Sequence, residues 1–248
     1  MTLEDPRIRF TAALVEELRG RAREDITLLP FLAPLIQGMR DGFEEQPVDS
    51  PPEPPPSFDA ALPKVAVSQP LAESLPDIAR LAAWKTVLSE HPDVDPALQS
   101  GMHAAHLYGA LGILGCERMR GGLFSLAPNI HYPLHTHVAA ELYFCLGGTL
   151  TLRHGVDGAP FQLAAGDYSI TPRERAHSLT TGDEPVLLYF AWVGDFTAPI
   201  FWWEQDDSGT WHRARWLRGA SGIWERGARE PVSEDEIAAQ TLNRDSDT

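Results

Sequence analysis

Along the first 45 residues, apolar side chains recur at three- and four-residue steps: Phe10, Leu14 and Leu18, then Ile26, Leu28 and Leu29. That period places them on one side of an α-helix. Pro30 and Pro34 interrupt the run. Proline removes a ladder donor and crowds the preceding turn, so two short helices are expected over 7–45 rather than one long one. The same spacing returns in Leu71, Leu75, Ile78, Leu81, Trp84 and Leu88, which predicts an amphipathic helix within 66–90, at least beyond Pro76. Residues 95–112 read as a further helix or loop–helix stretch, with His103 and His106 three apart on one helical face. They read there as an ordinary polar face near a helix end. Segment 47–63 holds seven of the 21 prolines and reads as an extended connector.

From about residue 116 the period shortens. Segments 120–127, 140–146, 149–153, 167–171 and 186–193 each resemble a strand, and Gly147-Gly148, Asp157-Gly158, Gly166-Asp167 and Gly182-Asp183 supply turns. Short strands at regular intervals with glycine turns predict a closed antiparallel barrel or jelly roll. Beyond Gly194 the chain is rich in tryptophan (Trp202, Trp203, Trp211, Trp216 and Trp224), as core or as an interface between copies. The last fifteen residues are polar and acidic and are expected to fray. The expected organisation is a helical N-terminal region over 1–115 with the linker at 47–63, a β-barrel over 116–217 and a tail over 218–248. The fold class is mainly β.

Charge narrows the function. Thirty-five acidic against 20 basic residues leave a net charge of −15. Such a surface repels phosphate backbones and anionic bilayers, which argues against nucleic acid and membrane partners. No apolar run is long enough to span a bilayer. The first residues lack a basic segment followed by an apolar core. The two cysteines, Cys116 and Cys145, read as buried reduced thiols, and a cytoplasmic location is the expectation.

Candidate chemistry is concentrated in 135–148. His135, His137, Glu141 and Tyr143 occupy odd positions, which on an unbroken strand share one face. His177 lies further on, inside a segment that begins with Gly166 and contains Pro172. Three imidazoles and a carboxylate can hold one divalent ion and leave coordination positions open; zinc, iron, manganese and nickel all suit these donors. A tyrosine has a pKa of about 10, but a neighbouring dication favours the phenolate. Tyr143 is therefore the candidate general base.

The segment His135-x-His137-x3-Glu141-x6-Gly148 resembles the first motif of the cupin superfamily, and Gly166-x5-Pro172-x4-His177 resembles the second. The resemblance implies a cupin fold, a double-stranded β-helix or jelly-roll barrel, with His135, His137, Glu141 and His177 as metal ligands. Glu174 stands where the second motif has glycine and Thr181 where it has asparagine; neither is a ligand position, and the first leaves room for a different local turn. A narrower likeness joins His131-Tyr-Pro-Leu-His-Thr-His137, Glu141-Leu-Tyr143, Gly182-Asp-Glu-Pro185 and Trp192-Val-Gly-Asp195, over about 116–196, to the cupin-type dimethylsulfoniopropionate (DMSP) lyases. Those proteins also carry a helical N-terminal region. The resemblance implies cleavage of a small zwitterion to dimethyl sulfide and acrylate by β-elimination, with Tyr143 as base and Tyr132 as a substrate-positioning residue. Aromatic faces attract a sulfonium, which makes Tyr132, Tyr143 and Trp192 candidates to line that end. A homodimer is compatible with it. The same donors would also serve a cupin dioxygenase or isomerase on another small carboxylate, or a ligand-binding cupin without turnover.

Overall fold

A computed structural model describes residues 4–47, 53–220 and 222–241. The N-terminal period is realised as two helices, Pro6–Arg21 and Leu29–Asp41, joined by a 3-10 turn at Ile26–Leu28. The Asp5 carboxylate caps the first by accepting from the Arg7 amide at 2.9 Å. Pro6 and Pro30 sit in first turns, where a missing N–H costs no ladder bond. Pro34 is accommodated inside the second helix. Phe10, Leu14, Leu18 and Leu28 are buried, whereas Ile26 and Leu29 are exposed, because the break between the helices changes the phase of the apolar stripe.

The connector is less extended than its prolines suggest. Pro56–Ala61 is helical and Leu62–Lys64 forms a 3-10 turn, anchored by the buried Phe58. Residues 48–52, with Pro51 and Pro52, lie outside the described residues. The next helix, Gln69–Leu81, continues through Pro76 and buries Leu71, Leu75 and Ile78. It stops at Leu81, which is exposed; Trp84 is buried from a strand, Trp84–Thr86.

The reading of 95–112 needs a larger correction. Only Pro96–Gly101 is helical, and Met102–Tyr108 is a strand paired with Trp84–Thr86 and Arg120–Leu126. His103 and His106 therefore do not share a helical face. A short stretch of alanine and histidine carries no period of its own, and the partner strands decide its conformation. Strand structure thus begins well before residue 116.

The expected mainly β barrel takes the form of a mixed fold of N-terminal helices and two β-sheets, antiparallel except where Met102–Tyr108 meets Leu114–Gly115 in parallel. Across the first sheet run Glu44–Glu45, Leu114–Gly115, Met102–Tyr108, Arg120–Leu126, Val186–Val193, Ala140–Gly147 and Tyr168–Thr171. The second runs Trp224–Pro231, Trp211–Arg218, Ile200–Gln205, His131–Thr136, His177–Thr181, Thr149–His154 and Phe161–Ala164. Helices cover the outer face of the first sheet, so its central strands are apolar on both sides. In Val186–Val193, Leu187, Tyr189 and Ala191 pack with the helices, while Leu188, Phe190 and Trp192 join the core shared with the second sheet. Trp202, Trp216 and Trp224 belong to that same core, whereas Trp203 is buried in a small separate cluster and Trp211 packs half-buried against it.

The tail is more ordered than its polarity suggests. Glu234–Thr241 is a helix; the Ser233 amide donates to Glu236 Oε2 at 3.0 Å, and the Glu236 amide donates to Ser233 Oγ at 3.3 Å. This is a capping box, readable as Ser-x-x-Glu. Residues 242–248 lie outside the described residues.

Two turn positions bear on the site. Gly148 has φ +85°, and a Cβ there would meet the Pro185 carbonyl oxygen at 2.5 Å, so the motif glycine is sterically required. Glu174 keeps the left-handed conformation, φ 59°, that the glycine of the resembling motif would adopt freely. Glu174→Gly is accordingly expected to raise stability by up to about 1 kcal/mol, seen as a higher midpoint in urea unfolding; an unchanged or lower midpoint would show that the turn stores no strain.

Candidate metal centre

His135 lies near the end of His131–Thr136, in the second sheet. The strand ends at Thr136, and the chain crosses at 137–139 to Ala140–Gly147 in the first sheet. The parity argument for one unbroken strand therefore fails between His137 and Glu141. Convergence is achieved differently: the crossing lets residues from both sheets face the shared interior. Within Ala140–Gly147 the parity holds, and Glu141 and Tyr143 both line the interior while Leu142 and Phe144 face the helices.

His177 pairs directly with His135 across neighbouring strands. The next pair is Leu179 with Tyr132, so three steps on one strand match two on the other. This bulge includes Pro133 and turns both Tyr132 and His135 inward. Their rings stack, 4.1 Å between centroids and 25° between planes.

One donor atom from each of His135, His137, Glu141 and His177 lies within 4.8 Å of the others, and all four side chains are buried. Each imidazole has its Nδ1 against a backbone carbonyl: His135 to Pro133 at 2.8 Å, His137 to Ala139 at 2.8 Å, His177 to Arg175 at 3.0 Å. A carbonyl only accepts, so each Nδ1 carries the proton and each Nε2 presents a lone pair. His137 Nε2 and His177 Nε2 stand 2.8 and 3.3 Å from Glu141 Oε2. Acceptors facing one another at that range need a cation among them, either a second proton on an imidazole or a metal ion. The donor set thus fits one divalent ion.

Burial alone would raise the Glu141 carboxyl; the bonds to His137 and His177 outweigh it and hold it well below the usual carboxylate range. Burial, then the neighbouring His177 and His137, keeps His135 neutral. Burial likewise lowers His177 against the opposing pull of Glu141. Burial, with Arg218, Arg120 and Lys85, keeps His106 neutral. An unfolded chain protonates histidine at about pH 6.5. Below that pH the unfolded state binds more protons than the folded one, so stability falls as pH falls. The melting temperature of the metal-free protein is expected to drop between pH 7 and pH 5; an invariant melting temperature across that window would contradict neutral buried imidazoles.

Tyr143 is fully buried, and burial, then the charge of Glu141, pushes its phenol up when no ion is bound. Its ring centroid is 6.1 Å from that of His177. Trp192 stacks on His137 at 4.2 Å. Tyr132, His135, Glu141, Tyr143 and Trp192 all border one cavity of about 110 Å³. His131, by contrast, is exposed and bonded to Thr180 Oγ1 at 2.9 Å, away from the cluster. Cys116 and Cys145 are both free; Cys145 is buried, whereas Cys116 is only half-buried. Among the described residues no helix is long and apolar enough to cross a membrane.

The cavity also contains residues that the sequence patterns did not single out for this site: Arg120, Arg218 and His106. They come from three different strands, and no local spacing connects them.

The family model for dimethylsulfoniopropionate lyase matches residues 55–188. The dimethylsulfoniopropionate lyase DddQ of Ruegeria pomeroyi is 30% identical over 96 residues, 38% of this chain and 47% of that protein. The match thus spans about half the length of the curated relative. The crystal structure of DddQ from the same organism superposes with a TM-score of 0.61 at 21% identity, covering 79% of this chain and 95% of the other. A structure described with the DMSP lyases RdDddP and RnDddQII gives 0.52 at 22% identity, covering 74% and 94%. These superpositions carry the fold: N-terminal helices and two β-sheets of cupin topology.

Proposed function

The chain belongs to the dimethylsulfoniopropionate lyase family, whose model covers over half of it, and from that premise we propose that it is a metal-dependent carbon–sulfur lyase cleaving DMSP to dimethyl sulfide and acrylate. The observation that carries the reading is that Tyr143 lines the same cavity as His135 and Glu141 of the His/Glu cluster. His135, His137, Glu141 and His177 would hold the ion, which would supply a Lewis acid for the substrate carboxylate and favour the Tyr143 phenolate.

Tyr143 takes the proton from the carbon next to the carboxylate. The electron pair of that C–H bond forms the new double bond, and the C–S bond breaks with its pair leaving on sulfur as neutral dimethyl sulfide. Tyr132, fixed by stacking on His135, positions the substrate. The test is headspace detection of dimethyl sulfide from DMSP with protein loaded in turn with zinc, iron, manganese or nickel; no release with any of the four overturns the reading. A second reading, the same centre acting on a different small carboxylate, is favoured by the two guanidinium groups in the cavity.

A further inference from the structure

Arg120 and Arg218 border the cavity that His135 and Glu141 of the His/Glu cluster also line. Arg120 and Glu141 are both in register with Trp192, on the strands either side of it. Their backbones are therefore two strand spacings apart, about 9–10 Å. Arg218 closes the same end from the second sheet, where its Nη1 donates to His106 Nε2 at 3.3 Å. Among the described residues neither arginine has a carboxylate partner, although the chain carries 35 acidic residues and eight of its other arginines are paired with one. Arg120 Nη1 and Arg218 Nε are buried without an acceptor.

Aromatic faces hold the two groups instead. Arg120 Cζ lies 5.4 Å over Phe196 and 5.9 Å over Trp192, and Arg218 Cζ lies 4.8 Å over Trp224. A ring face binds the flat side of a guanidinium and leaves its N–H edge free to donate. Burying two like charges close together without a counterion is unfavourable. A ligand that brings an anionic group to this end removes that cost, whereas a cationic group adds to it.

The geometry points to an anion subsite formed by Arg120 and Arg218, so that the cavity takes a short organic dianion with one anionic group at the His/Glu cluster and the other at the arginines. This makes specific the second reading above, a different small carboxylate, and shares with the lyase reading only the placement of one end of the ligand at the metal centre. A sulfonium zwitterion would set its positive end against like charge there. The small volume, about 110 Å³, suits a short dianion.

The test is calorimetric titration of zinc-loaded protein with succinate, 3-phosphonopropionate and butyrate. Succinate or 3-phosphonopropionate is expected to bind at least tenfold more tightly than butyrate, and the tighter of the two identifies the second group as carboxylate or phosphonate. R120M and R218M are expected to abolish that difference while changing butyrate affinity by less than twofold. Equal affinities for all three ligands in the unsubstituted protein overturn the subsite, whether or not the variants fold. DMSP cleavage is measured in parallel. Dianion preference without dimethyl sulfide release leaves the subsite standing and removes the lyase reading; release without dianion preference does the reverse.

Discussion

Tyr143→Phe is expected to lower dimethyl sulfide release by about 10³-fold while the protein still binds one equivalent of metal. The size follows from the contribution of a positioned general base, about 10²–10⁴-fold. The substitution removes one oxygen and leaves the ring, which packs in the core between the sheets. Stability and the four candidate ligands should therefore be little changed, and the loss should fall on kcat rather than KM. Headspace assay together with metal analysis separates the outcomes. Release at the unsubstituted rate would assign the proton transfer to another group, and loss of metal would mean that the phenol supports the ion rather than the chemistry.

Glu141→Ala should act on the ion itself, with metal affinity falling by about 100-fold or more. Removal of an outer-shell partner alone typically costs about 10–100-fold, and Glu141 is proposed as a direct ligand. Among the described residues its Oε2 is the carboxylate oxygen that faces both His137 Nε2 and His177 Nε2, and its removal leaves three imidazoles without a carboxylate to hold a dication. Competition against a chromogenic chelator measures the change. Retention of affinity within a few-fold would define a three-histidine centre, with Glu141 free for proton transfer.

Both predictions concern residues that were visible as a motif, and the reason is physical. Imidazole and carboxylate donors, a glycine that must adopt positive φ and a proline that fixes a turn are properties of residue types at fixed short spacings. Gly148 illustrates this, since any side chain there would strike the Pro185 carbonyl. The helices were legible for a related reason: Phe10, Leu14 and Leu18 repeat with the period of the element they form. Strand Met102–Tyr108 was not, because nothing within its seven residues distinguishes it from a helix end. Its conformation comes from the ladders on either side. The capping box at Ser233 was legible in principle but was outweighed by the acidity of the tail.

The site shows the same division. Local sequence specified that His135, His137, Glu141 and His177 could hold an ion and that Tyr143 would point with Glu141, because i and i+2 share a face of any strand. It did not specify that the chain would change sheets between His137 and Glu141, or that a bulge at Pro133 would turn Tyr132 inward. Those features arise from inter-strand register. The cationic end of the cavity depends on register entirely: Arg218 meets His106 from 112 positions away. Residue type and short-range stereochemistry decide which groups can do chemistry. Which of them share a cavity, and with what charge facing them, depends on long-range pairing of backbone donors and acceptors, and only the folded chain contains that information.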